Sequence, residues 1–143
     1  MTRCLYCYDK ITNEEQIKQE FHQSCSIKFF GSKTPPKIEY SQSDMLELAE
    51  KVVKSQRTIT GVQPKLSLAR KKMTDDSNRE RFTIVGLWGQ YILKPQTVLY
   101  KELPKIEDLT MHLAKSVKIN TVLHSLIRLR SGELAYITKR VDR

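Results

Sequence analysis

Several things are missing from this sequence, and each absence excludes something. No apolar run approaches the ~18 residues that a membrane-spanning helix needs, so no membrane partner is expected. The opening, MTRCLYCYDK, lacks the apolar core of a secretory signal, which makes the cytoplasm the expected compartment. No block of five like charges occurs, so the chain carries no polybasic tail of the kind that grips nucleic acid. Glycine is scarce, at five residues, and no G-x-G-x-x-G is present. Cysteine is scarcer still, at three, and an odd count in a cytoplasmic chain argues against a disulfide framework.

What is present is a basic chain of ordinary domain size: 143 residues with a formal net charge of +9. Such a charge suits a phosphate-rich partner (nucleic acid, nucleotide or anionic lipid) without choosing among them, and it equally suits a plain solvated surface.

The cysteines are concentrated. Cys4, Cys7 and Cys25 all lie in the first 25 residues, with His22 three positions before Cys25. The pattern C-x2-C, fourteen residues, H-x2-C offers four soft ligands in two close pairs. Zinc takes four such ligands in a tetrahedron, and a fully protein-filled shell is a structural site. Ordinary buried cysteines are the alternative. With zinc as ligand, the first ~30 residues depend on the metal to fold. HQSCSIKFFG predicts the helix carrying Cys25, with Gly31 as its stop.

Organisation follows from composition. Residues 1–31 form the expected knuckle-like extension, 32–44 a linker stiffened by Pro35 and Pro36, and 45–143 the main domain. Ser41 and Asp44 form a capping box. Met45, Leu48, Ala49, Val52 and Val53 form an amphipathic stripe behind it. KLSLARK, RFTIV and QYILK predict three strands, with Trp88 packing in the GLWGQ connection. LPKIEDLTMHLAKSVKI predicts a helix with Pro104 near its start. Its inner stripe is expected at Ile106, Leu109, Leu113, Ala114 and Val117. Two further strands joined at Ser131-Gly132 read as a two-residue hairpin. His112 and His124 read as packing or surface histidines, since neither has a ligand partner at metal spacing. The fold class is therefore α+β, an antiparallel sheet with packed helices, preceded by the small zinc knuckle.

One stretch remains, RTITGVQPKLSLARK, in which a polar, glycine-containing turn runs directly into a strand. Backbone N–H groups of such a turn can cover phosphates. Lys94, at the end of a β-rich run, is costly unless its ammonium finds a partner. Glu107 on the next helix borders the apolar stripe and can face the sheet. A strand lysine held by a helix glutamate is the arrangement with which kinases grip the α- and β-phosphates of ATP. A snorkelling lysine and a solvated glutamate are the blander reading.

TITGVQPKLSL, YILKPQ, LPKIEDLTMHLA and LAYITKRVDR, in this order and spacing, resemble the N-terminal part of HipA-like serine/threonine kinases, the toxin kinases of bacterial toxin–antitoxin modules among them. The resemblance covers roughly residues 45–143. The cysteine-rich start resembles an extension found on a subset of members. The resemblance implies a kinase small-lobe-like domain that binds ATP with Mg²⁺ in the full-length parent. Thr58, Thr60, Gly61, Val62 and Gln63 would line the phosphate-covering loop, Lys94 would hold phosphates and Glu107 would position it. Lys139 to Val141 would approach adenine at the hinge. Thr58 and Thr60 are the loop hydroxyls open to phosphorylation. Ile106 stands where the family usually has asparagine.

The resemblance also locates a gap. No catalytic-loop or D-F-G segment follows Lys94, so no catalytic residue is expected within this chain, and alone it is expected to be inactive. A large catalytic lobe or a full-length kinase is then the expected partner, with an antitoxin protein as a further one. The competing reading is a zinc-bearing nucleic-acid-binding or regulatory partner module. For it, contact with nucleic acid through Tyr6, Tyr8, Phe29 and Phe30 is less simple than their forming the knuckle's own core.

Overall fold

The computed structural model describes residues 1–55, 65–73, 79–85 and 89–141. Thr58, Thr60, Gly61, Val62, Gln63 and Trp88 lie outside the described residues, as do the side chains of Ala49, Val52 and Val53. The elements run α1 (Glu14–Gln19), α2 (Gln23–Phe30), α3 (Gln42–Ser55), β1 (Leu66–Lys72), β2 (Glu80–Val85), β3 (Tyr91–Lys94), α4 (Leu103–Ser116), β4 (His124–Arg128) and β5 (Leu134–Lys139). The five strands form one sheet in the order β2-β1-β3-β5-β4, antiparallel throughout. This is the α+β architecture that the strand and helix patterns predict.

Local chemistry places the helix ends. The Asn13 side chain accepts from Glu15 and Gln16 N–H and starts α1. Ser41 and Asp44 cap α3 reciprocally: Ser41 N–H donates to the Asp44 carboxylate at 2.9 Å, and Asp44 N–H donates to the Ser41 hydroxyl at 3.2 Å. Gly31, at φ 74°, ends α2 in the left-handed conformation that glycine adopts without strain. The β4–β5 hairpin is longer than two residues. Its loop closes with Leu129 N–H donating to the Glu133 carbonyl, and Ser131-Gly132 form the tip. A two-residue loop at Ser131-Gly132 would pair Leu129 with Leu134, whereas here Arg128 pairs with Leu134.

The sheet has two different faces. Leu66, Leu68, Phe82, Tyr91, Leu93 and Ile137 are buried on one of them. Against them pack Phe29 and Phe30 of α2, with ring centroids of Phe29–Tyr91 at 5.7 Å and Phe30–Phe82 at 5.8 Å. Each such aromatic pair contributes about 0.5–1.5 kcal/mol beyond its area burial. The opposite face carries Lys94 and its register partner Tyr136, and α4 lies over it.

The N-terminal segment is not packed separately from the sheet. Cys4, Leu5, Ile11, Phe21, Phe29 and Phe30 share one core with the strand residues. Ser125 Oγ and Leu126 N–H both donate to the Leu5 carbonyl, so the knuckle covers the β4 edge. The 32–44 stretch also docks: Ile38 is buried, Lys37 N–H donates to the Glu80 carbonyl, and Phe82 N–H donates to the Lys37 carbonyl. This adds a short bridge to the sheet's other edge.

Candidate functional site

Three clusters of chemistry-bearing side chains converge around α4. The first is the cysteine–histidine set. Tyr8 N–H donates to the Cys4 carbonyl, closing the C-x2-C turn. The α2 N-cap places His22 one turn before Cys25. The ligand atoms of Cys4, Cys7, His22 and Cys25 all lie within 4.8 Å of one another. His22 Nδ1 is 3.4 Å from Cys7 Sγ and 3.8 Å from Cys25 Sγ. Bonds of ~2.3 Å to sulfur and ~2.0 Å to nitrogen at tetrahedral angles put such atoms about 3.6 Å apart. His22 Nε2–H donates to the Lys10 carbonyl at 3.1 Å, leaving the Nδ1 lone pair turned toward the thiols. The thiols are free. Burial, with the neighbouring Cys4 and Cys7, pushes Cys25 up to about 12. Burial also raises Cys7. At Cys4 burial opposes ionisation too, but backbone hydrogen bonds from the Cys7, His22 and Tyr6 positions outweigh it and lower the thiol. Cys7 and Cys25, crowded against Cys4, resist ionising. These residues can hold a metal ion.

The second cluster is the Lys94–Glu107 ion pair. Lys94 ends β3, and its ammonium meets Glu107 Oε1 on α4. The two side chains are only 21% and 25% exposed, so this is not a loose surface pair. The ammonium also lies 5.6 Å from the centroid of the Tyr136 ring. Glu107 Oε2 is buried and has no hydrogen-bond partner among the described residues. Lys139 and Val141, at the end of β5 and just beyond it, are both exposed. Lys139 N–H donates to the Leu123 carbonyl, while Arg140 N–H donates to the Gln90 carbonyl. The loop residues Thr58 to Gln63 lie outside the described residues.

The third cluster corrects the expectation that His112 and His124 have no carboxylate partner at metal spacing: the ligand atoms of Asp108, His112 and His124 all lie within 4.8 Å of one another. Asp108 is fully buried on α4. Its carboxylate accepts from the Tyr8 hydroxyl and faces His124 Nδ1 at 2.6 Å and His112 Nε2 at 3.4 Å. The Tyr8 and His112 rings lie 4.0 Å apart. Burial, reinforced by Asp108, raises Tyr8 well above the ordinary phenol range. His112 and His124 are therefore members of a buried polar cluster. The Asp108–His112 spacing of four on one helix was the signal that could have found it, whereas Tyr8 and Asp108 are one hundred residues apart in sequence.

This cluster explains why α4 turns the way it does. Of the expected inner stripe, Ile106, Leu109, Leu113 and Val117 are 51–68% exposed and Ala114 is half-buried. Pro104 and Asp108 are buried instead, with Glu107, Met111 and His112 half-buried beside them. The hydrogen bonds of Tyr8 and His124 to Asp108, with His112 Nε2 at 3.4 Å, fix the helix rotation with its polar face inward.

Among curated proteins none matches this chain. The HipA-like C-terminal domain matches residues 57–143, a span that includes β3, α4 and both members of the Lys94–Glu107 pair. The match takes in more than half of the chain, and the chain therefore belongs to the HipA-like family.

Proposed function

We propose that this chain is the ATP-binding portion of a HipA-like protein serine/threonine kinase, of the type found as toxins in toxin–antitoxin modules. Lys94 holds the nucleotide's phosphates, Glu107 fixes the lysine, and the segment Thr58 to Gln63 covers the phosphates with its backbone N–H groups. The hinge stretch Lys139 to Val141 borders the adenine. The single observation that carries this reading is the half-buried Lys94–Glu107 pair joining a strand end to the neighbouring helix in a chain of this family. A lysine used only for solubility would reach water. Here its charge is held within the fold by a carboxylate, in the geometry that phosphoryl-transfer enzymes use. The catalytic groups and the Mg²⁺ carboxylates belong to a large lobe, which is the partner this reading requires. An antitoxin protein is a further partner.

We also propose that Cys4, Cys7, His22 and Cys25 hold a structural zinc. The near-tetrahedral donor spacing and the oriented His22 support this. All four positions are protein-filled, so the metal's contribution is folding rather than chemistry.

The test is titration with a non-hydrolysable ATP analogue with Mg²⁺, and separately with duplex DNA at two salt concentrations. The expected result is saturable nucleotide binding that Lys94→Ala abolishes without changing the circular dichroism spectrum. Steeply salt-dependent DNA binding with no nucleotide response would favour a nucleic-acid-binding module instead.

A further inference from the structure

We propose that the metal knuckle sets the position of Glu107, with Tyr8 and Asp108 as the positioning residues that connect them. This rests on the reading of Lys94–Glu107 as the phosphate-holding pair and deepens it by naming its control.

Tyr8 directly follows the ligand Cys7 and closes the C-x2-C turn. Its backbone is left-handed, at φ 69°, a conformation that costs a bulky residue of order 1 kcal/mol or more. Glycine would fill that position without strain. What tyrosine adds is a ring against His112 and a hydroxyl that donates to Asp108. Arg3 Nη1 holds the Tyr8 carbonyl at 2.9 Å, fixing the base of the side chain. Asp108 is the next residue after Glu107, on the inward face of the same helix turn. The path from metal ligand to phosphate-holding carboxylate is therefore short: Cys7, Tyr8, Asp108, Glu107.

A second metal at Asp108, His112 and His124 is the obvious rival, since their ligand atoms also lie within 4.8 Å of one another. The spacing argues against it. Asp108 and His124 sit at 2.6 Å, a hydrogen-bond distance, whereas donors sharing one metal stand about 3 Å or more apart. The Asp108 carboxylate is already engaged by Tyr8 and His124. The cluster is a clamp, and one jaw of it belongs to the knuckle.

The consequence is that emptying the Cys4/Cys7/His22/Cys25 site releases Tyr8, frees α4 to rotate, and loosens Glu107 from Lys94. Phosphate holding then becomes metal-dependent although no metal ligand touches the nucleotide.

Tyr8→Phe is the selective test. It keeps the ring and all four ligands and removes only the hydroxyl. The readouts are zinc content, the ¹³C-methyl resonance of reductively methylated Lys94 (assigned with Lys94→Arg), and binding of an ATP analogue. Glu107→Gln gives the reference position for an unpaired lysine. Tyr8→Phe is expected to retain one equivalent of zinc, to move the Lys94 signal toward that reference, and to weaken nucleotide binding at least about fivefold, the lower end of ordinary site-to-site coupling. An unmoved Lys94 signal in a zinc-replete variant overturns the clamp. Should Tyr8→Phe fold poorly, Tyr8→Gly gives the second arm, since glycine suits the left-handed backbone there and all four ligands are kept. There the Lys94 signal is expected to shift with zinc retained, and an unshifted signal again overturns the proposal. If wild type binds no nucleotide, the kinase reading falls, yet the Lys94 signal still tests the clamp.

Discussion

The two histidine-containing clusters of this chain make an instructive pair. In the knuckle, the His22 imidazole stands 3.4 and 3.8 Å from two of three thiols, and all four donor atoms lie within 4.8 Å of one another. Around Asp108, a carboxylate, a phenol and two imidazoles have closed onto one another. The first is a cage of electron-pair donors with no cation or acceptor among them, and its thiolates repel when ionised. The second contains its own acceptor, shared by Tyr8 and His124, with His112 Nε2 at 3.4 Å. Donor type and spacing separate a cluster that can hold a metal ion from one built around its own acceptor.

The sharpest way to test this comparison is to break the cage. Cys25→Ser, or chelation, is expected to unfold the knuckle, because apparent zinc-binding energies of ~10–16 kcal/mol are also the folding energy of such sites. Loss of helical signal with metal release, followed by circular dichroism, checks it. A knuckle that stays folded without metal would make the cage a second self-sufficient cluster.

Breaking the clamp comes next in size. Asp108→Ala leaves Tyr8 and His124 buried without their acceptor and is expected to cost about 3–5 kcal/mol in urea unfolding. Asp108→Asn keeps an acceptor oxygen and is expected to cost less. Equal costs for the two would mean that shape rather than hydrogen bonding matters at this position.

The exposed side of α4 sets a contrast with its buried side. Leu113→Ser is expected to change stability by no more than about 0.5 kcal/mol, because Leu113 is 59% exposed. A loss of several kcal/mol would restore the apolar stripe to the core.

The smallest effect is on pH. Burial holds His112 below its ordinary value, with His124 and Lys115 acting in the same direction and Asp108 against them. The unfolded chain therefore takes up this proton more readily than the folded one. Stability is complete above about pH 6.5 and declines as the pH falls below it toward the lowered folded value. In zinc-replete protein, His112→Gln is expected to flatten that part of the curve, measured as melting temperature against pH.

These contrasts also show what could be read from the sequence. The capping box at Ser41 and Asp44, the Gly31 stop and the Cys4-Cys7 and His22-Cys25 pairs are legible because their partners lie within a few residues. The strand pattern gave the sheet for the same reason. The face of α4 was not legible. Ile106, Leu109 and Leu113 have the right period for a core stripe, and periodicity alone cannot see that Tyr8, Lys94 and His124 will capture the adjacent polar face. Nor was the joining of residues 1–31 to the sheet: Leu5 meets β4 only in three dimensions. Lys94 and Glu107 fall between these cases. The elements they sit on were readable, and their meeting was an expectation that needed coordinates.

The most direct measurement of the central claim is calorimetric titration of an ATP analogue with Mg²⁺ into the wild-type chain, Lys94→Ala and Glu107→Gln. The account predicts binding by the wild type, none measurable with Lys94→Ala, and weakened binding with Glu107→Gln, with both variants still folded by circular dichroism although lower-melting, since each leaves a half-buried charge unpaired. Nucleotide affinity that is the same in all three proteins would contradict it.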